Sequence, residues 1–363
     1  MRAELTLIPT LSIYPDRVCF YNVPNWSPSK PGKFIQEFEK ENDLFSDGGV
    51  ELQEEKTNDK FLHSSRTANG LMSDSAKRKM TKCVDYLLLL SSEKKCYSRI
   101  TGRQFSMKIA FITLTLPSKQ VHSDNEIKAK CLNQFLIEIK KRWKVQHYVW
   151  RAEKQKNGNL HFHILIDRYI DCLQMRDIWN RIVEKLGYVT RYRQEMKLFH
   201  EKGFTVRKDL LKHWDYKSQL RAYREGSQKD WNSPNSTDIH SIRKVINIKA
   251  YVVKYMSKNE MVNPETGEIE ETLKDQEGRI WGSDQSLAQA KAAVIEVDNS
   301  VGDELLKIMH NDNIKHYDSD YFSVYYISFD ELTAVGATDI YQAFADYLIQ
   351  QFNFNIQKTI NYA

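Results

Sequence analysis

The chain lacks the cysteine pattern of a disulfide framework. Its five cysteines, Cys19, Cys83, Cys96, Cys131 and Cys172, are odd in number and include no CxxC pair. That excludes a zinc knuckle of the usual spacing and fits a reducing cytosol. No apolar run approaches the ~18–20 residues that span a bilayer. The opening stretch "MRAELTLIPTLSIYP" has no continuous apolar segment followed by small residues, so no signal peptide is expected. There is no internal repeat and no GxxxxGK[ST] phosphate loop, which argues against an attached ATPase or helicase motor. Strong charge of one sign is also missing, because the net charge is only +5 over 363 residues. A soluble, cytoplasmic protein is the expectation, with length enough for one large domain or two to three modest ones.

What is there begins with a local imbalance. Between Lys77 and Lys108 nine Lys or Arg residues face two acids, Asp85 and Glu93. Such a cluster can neutralise phosphates, or it can be a solvated helix face followed by a basic loop. The first ~70 residues mix proline, glycine and charge, and are expected to be loops or a loosely attached arm. Order is expected from about Ser73, where "SDSAKRKMTKCVDYLLLLSS" carries apolar residues at helical spacing. "MKIAFITLTLP" reads as a strand ending at Pro117, with Phe111, Thr113 and Thr115 on one face. "SDNEIKAKCLNQFLIEIKKRWK" reads as an amphipathic helix with Ile127, Cys131, Phe135 and Ile139 in one stripe. "HYVWRAEK" and "NLHFHILID" flank Asn157-Gly158 and read as a hairpin. A further helix runs from an Asp171 cap to Gly187. This order predicts an α+β fold with a central antiparallel sheet flanked by helices. The polar and aromatic residues 188–237 give no clear pattern. The remainder from about Leu287 is expected to hold a helix, a strand at "YFSVYYISF" and a last helix at "TDIYQAFADYLIQQF".

The chemistry gathers at His161 and His163. Two histidines separated by one residue point to the same face of a strand. By itself the pair reads as a metal site or as two polar residues on a solvated face. Glu153, on the neighbouring strand, becomes a third ligand only in one register. A two-residue Asn-Gly turn would pair Lys154 with His161 and send Glu153 to the wrong face. A three-residue loop of Lys156, Asn157 and Gly158, with the glycine left-handed in a bulge, pairs Glu153 with His161. The glycine stands where that loop needs it, so the three-residue form is predicted. Two imidazoles and a carboxylate suit Mg²⁺ or Mn²⁺ as a Lewis acid, and could also hold Zn²⁺.

A second group lies in "AYVVKYMSK". On a helix Tyr251 and Tyr255 stand one turn apart on one face, and Lys254 and Lys258 each follow three residues after a tyrosine. A tyrosine can be a covalent nucleophile, and a nearby lysine can favour its phenolate or hold a phosphate. The plainer alternative is a helix with half-buried tyrosines and solvated lysines. His147, His200, His213 and His240 have no partner at metal spacing and are expected to be structural.

Taken in order, "FITLTLP", the Glu153/His161/His163 hairpin and the Tyr251–Lys258 segment resemble the HUH endonucleases. They are most similar to the rolling-circle replication initiators, or Rep proteins, of single-stranded DNA phages and plasmids. The later "GRIWGSDQSL" also resembles a segment that follows the tyrosine motif in phage-type initiators. The resemblance implies an endonuclease domain over 73–287, with 1–72 and 288–363 as terminal extensions outside it. It implies Glu153, His161 and His163 as ligands of a divalent metal, Mg or Mn, and Tyr251 or Tyr255 as the nucleophile, aided by Lys254 and Lys258. The implied partners are single-stranded DNA at a replication origin and a host helicase and polymerase in a bacterial cytoplasm. A conjugative relaxase or a single-strand transposase shares this chemistry. Relaxases usually have three histidines and a tyrosine that precedes them, whereas here the third residue is acidic and the tyrosines follow.

Overall fold

The computed structural model describes residues 7–24, 72–99, 101–155, 157–241, 276–297, 299–310 and 313–353. They fall into two compact units. One comprises 7–24, 74–92 and 285–353, the other 72–73 and 93–284, each within the described residues. No helix of the described residues is long and apolar enough to cross a membrane.

The chain opens in the first unit with β1 (Leu7–Ile13) and β2 (Val18–Pro24), an antiparallel pair, and α1 (Asp74–Leu90). Residues 7–24 are therefore not the loop or loose arm that their prolines suggest. Alternation wins over local punctuation here: Leu11, Ile13, Val18 and Cys19 are completely buried, and β1 and β2 are interior strands of a five-stranded sheet.

The second unit follows. β3 (Lys94–Ser98) and β4 (Arg103–Met107) make a separate hairpin. β5 (Ala110–Thr115) leads to α2, a helix running as Asp124–Ile127, a π-helical Lys128–Leu132 and Asn133–Trp143. Ser123 caps its start by accepting from the Glu126 N–H. The stripe Ile127, Cys131, Phe135 and Ile139 is fully buried. Residues four apart drift by ~40° per step in a regular α-helix, and the wider π turn offsets part of that drift. β6 (Tyr148–Lys154) and β7 (Leu160–Ile166) form the hairpin. α3 (Cys172–Glu184) is capped by Asp171, and Gly187, left-handed at φ +76°, turns the chain into α4 (Tyr188–Phe199). A 3₁₀ turn at Lys208–Leu210, α5 (Tyr216–Gln228) and β8 (Thr237–Ser241) fill the stretch that showed no clear sequence pattern. His200 sits there in an aromatic cluster, stacked on Trp231 at 5.9 Å between ring centroids. β9 (Trp281–Ser283) completes the unit.

The second unit is thus an α+β layer built on an antiparallel sheet in the order β8-β5-β7-β6-β9. One face packs on helices. Ile112, Leu114, Leu160, Phe162 and Ile164 join Phe135, Ile178 and Trp179 in a single core. The other face, by the period of two, carries Thr113, Thr115, His161, His163, Arg151 and Glu153.

The chain then returns to the first unit through α6 (Gln285–Gln289), β10 (Ala293–Glu296), α7 (Asn299–Met309), β11 (Lys315–Asp318), β12 (Phe322–Tyr326), α8 (Phe329–Ala334) and α9 (Thr338–Phe352). The sheet order there is β10-β1-β2-β12-β11. The two ends of the described chain thus share one sheet. α1 belongs with them, where Tyr86 donates from its hydroxyl to the Lys291 carbonyl at 2.6 Å.

Candidate functional site

The site is set by the hairpin turn. The Gln155 N–H donates to the Asn159 carbonyl at 2.8 Å, and the Gly158 N–H donates to the Gln155 carbonyl at 2.8 Å. Three residues therefore lie between the closing pair, and Gly158 is left-handed at φ +81°. This is a turn followed by a glycine bulge, the three-residue form. The register that results pairs Glu153 with His161 and Arg151 with His163. Paired residues of an antiparallel ladder share a face, so the carboxylate and both imidazoles meet.

Their potential ligand atoms all lie within 4.8 Å of one another. His163 Nε2 is 2.8 Å from Glu153 Oε1, and its Nδ1 is 3.3 Å from the Thr113 hydroxyl. The ring is held at both nitrogens, and the two imidazole centroids are 4.5 Å apart. The buried Nδ1 of His161 has no hydrogen-bond partner among the described residues. That leaves this ring with an unused nitrogen in a place that water does not reach.

Electrostatics keeps the site in a form that binds a cation. Burial, with the neighbouring His163, pushes His161 down to about 4, against the attraction of Glu153. It is neutral at physiological pH, with a lone pair to give. Burial would raise Glu153, but the His163 hydrogen bond and the nearby positive charge of His163, His161 and Arg151 hold its carboxyl below the usual range. Two imidazoles, one of them with a spare nitrogen, and one carboxylate fit a divalent cation by donor type.

Two groups that bear on the site are not evident from the histidine motif. Thr113 reaches His163 only because β5 pairs with β7 at Thr113↔His163. Its signal is the alternate threonines of "FITLTLP", which name a face but not a neighbour. The second is "GRIWGSD". Gly282 lies opposite Trp150 in the β6/β9 ladder, and a Cβ there would come 2.8 Å from the Trp150 indole nitrogen. Asp284 accepts from the Tyr148 N–H at 3.0 Å through its carboxylate and donates from its own N–H to the Tyr148 carbonyl at 3.1 Å. This segment seats β9 against β6, the strand that carries Glu153.

A cleft of about 650 Å³ opens beside Thr113 and Thr115, lined among others by Phe105, Tyr169, Arg176 and Asp238. Phe105 and Tyr169 meet edge to face at 4.9 Å. Hydroxyls, an arginine and aromatic rings in one groove are the groups that receive phosphates and bases of a single strand.

Tyr251, Lys254, Tyr255 and Lys258 lie outside the described residues. His147 is 3.7 Å from the buried Asp284 carboxylate, a structural role at the foot of β6.

Residues 109–260 match the model of a protein family described as replication-associated protein, of the ORF2 class. The matched stretch includes β5, the β6/β7 hairpin and the Tyr251–Lys258 segment. No curated protein and no solved structure is significantly similar.

Proposed function

We propose that this protein initiates rolling-circle DNA replication by nicking and rejoining single-stranded origin DNA through a tyrosine. The observation that carries the proposal is the convergence of Glu153, His161 and His163 within 4.8 Å on one sheet face, inside the stretch similar to replication-associated proteins. These three residues would hold the divalent cation, Mg²⁺ or Mn²⁺. When bound, such an ion supplies Lewis acidity to the scissile phosphate.

The protein's own groups do the rest. Thr113 holds the His163 ring, and the low basicity of His161 keeps its lone pair available well below neutral pH. The Tyr251 or Tyr255 oxygen forms a bond to phosphorus while the bond from phosphorus to the 3′ oxygen breaks. The phenol gives up its proton, and the leaving 3′ oxygen takes one up. The product is a 5′-phosphotyrosine and a free 3′-OH that primes synthesis. One phosphoester replaces another, so rejoining needs no ATP. Lys254 and Lys258 stabilise the phenolate or hold the phosphate. With two tyrosines one helical turn apart, the second can cleave a new origin while the first still holds DNA.

The test incubates the full-length protein with labelled single strands covering the replicon's origin and Mn²⁺, then resolves products on a denaturing gel. A covalent adduct is expected. It should vanish in the His161→Ala/His163→Ala double variant, and Tyr251→Phe against Tyr255→Phe assigns the nucleophile. No adduct with any origin strand refutes the cleavage reading.

A further inference from the structure

A second cluster of metal-binding side chains stands in the first unit. His310 follows α7 directly, its N–H donating to the Leu306 carbonyl at 2.8 Å. His316 and Asp318 are alternate residues of β11, on one face of an edge strand. Asp318 Oδ2 lies 3.8 Å from His310 Nε2 and 3.6 Å from His316 Nε2. The three potential ligand atoms fall within 4.8 Å of one another.

We propose that His310, His316 and Asp318 form a binding site for a divalent transition-metal ion of the zinc class, separate from the Glu153 cluster and independent of the nuclease reading. Three features of the geometry support it.

The separations of 3.6 and 3.8 Å are too long for hydrogen bonds. They are close to the ~3.3 Å edge of a tetrahedron whose ligands lie about 2.0–2.1 Å from a central ion. The far nitrogens are also already engaged. His316 Nδ1 is 3.3 Å from the Ile314 carbonyl. A carbonyl can only accept, so that nitrogen carries the proton, and a neutral His316 turns a bare Nε2 toward Asp318. His310 Nδ1 is 2.9 Å from the Tyr325 hydroxyl. Metal-bound histidines are commonly oriented this way, through the nitrogen that does not touch the ion. Finally, the setting favours a cation. His310 sits at the C-terminal, negative end of an eleven-residue helix. All three residues are exposed, so an ion can enter and one coordination position stays open for water. The site ties the end of α7 to β11, a strand with one free edge among the described residues.

The experiment uses chelator-stripped full-length protein carrying His161→Ala and His163→Ala, which removes the other cluster. Zn²⁺ is titrated calorimetrically, and Co²⁺ serves as an absorption probe of coordination. One Zn²⁺ per chain is expected, with affinity lowered at least tenfold by His316→Ala and by Asp318→Asn. Tyr325→Phe should keep the stoichiometry but weaken binding by about tenfold, the usual effect of losing an outer partner. Circular dichroism of each metal-free variant checks folding, and if one ligand variant is misfolded the other decides. Absence of Zn²⁺ binding in the parent, or binding that neither ligand variant weakens, overturns the site and leaves two imidazolium–carboxylate ion pairs in its place.

Discussion

Replacing Gly158 with alanine tests what holds Glu153 opposite His161. Gly158 is left-handed at φ +81°, and an added Cβ meets nothing within 4 Å. The substitution therefore brings backbone strain without a clash, about 1–2 kcal/mol for an L-residue in that region. Alanine also restricts the unfolded chain, which returns about 0.4–1 kcal/mol. The net loss expected is about 1 kcal/mol. Slipping to a two-residue turn would relieve the strain, but a slip by one residue must turn one strand over. Turning β7 would expose Leu160, Phe162, Ile164 and Ile166, all completely buried. At about 1.5–3 kcal/mol per side chain that is about 6–12 kcal/mol. Turning β6 instead would drive Arg151 and Glu153 into the layer that holds Trp150 and Ala152, at several kcal/mol per ion. Either slip exceeds the strain, so the register should survive. Urea unfolding reads the stability, and cross-strand nuclear Overhauser contacts between residues 153 and 161 read the pairing. A folded variant in which residue 161 faces Lys154 would refute the claim that core burial fixes the register.

Three further outcomes are expected. His161, near 6.5 when unfolded, is held at about 4 in the fold. Its stability contribution is complete above pH 6.5 and lost as pH falls toward 4, about 2 kcal/mol by pH 5. In metal-free protein His161→Gln should shrink the stability difference between pH 8 and pH 5 by that amount, and an equal pH slope in both proteins contradicts the shift. Thr113→Val removes the hydroxyl 3.3 Å from His163 Nδ1 and should weaken Mn²⁺ binding about tenfold, with rescue by Thr113→Ser. Calorimetry showing equal affinity for all three would remove Thr113 from the site. Gly282→Ala places a methyl group 2.8 Å from the Trp150 indole nitrogen and should destabilise the second unit by about 1–3 kcal/mol. An unchanged melting temperature would mean that β9 is free to move away from β6.

Local pattern determined much of this protein. The alternating apolar residues of β5 and β7, the Ser123 and Asp171 caps, and the Asn-Gly hairpin are visible because each depends on neighbours within a few positions. The same locality makes His161 and His163 a same-face pair and lets the glycine's place choose the turn that brings Glu153 to them. Residues 188–237 were harder to read, because α4 and α5 bury few residues, among them Tyr188, Val189 and Gln219. With so little buried, no strong periodicity is imposed on them. Only the tertiary structure decided which distant residues share a ladder. Thr113 touches His163 because β5 and β7 pair, and Gly282 seats Trp150 because the chain returns more than a hundred residues later as the edge strand β9. The first unit was hidden for the same reason: β2 pairs with β12 across some three hundred residues, so its prolines could be read as an arm and its ends as extensions. His310, His316 and Asp318 lie close in sequence, yet a helix end must fold back on a strand before their ligand atoms converge. Side-chain direction along one strand is a property of the backbone, whereas a meeting between strands depends on the burial that selects one register from many.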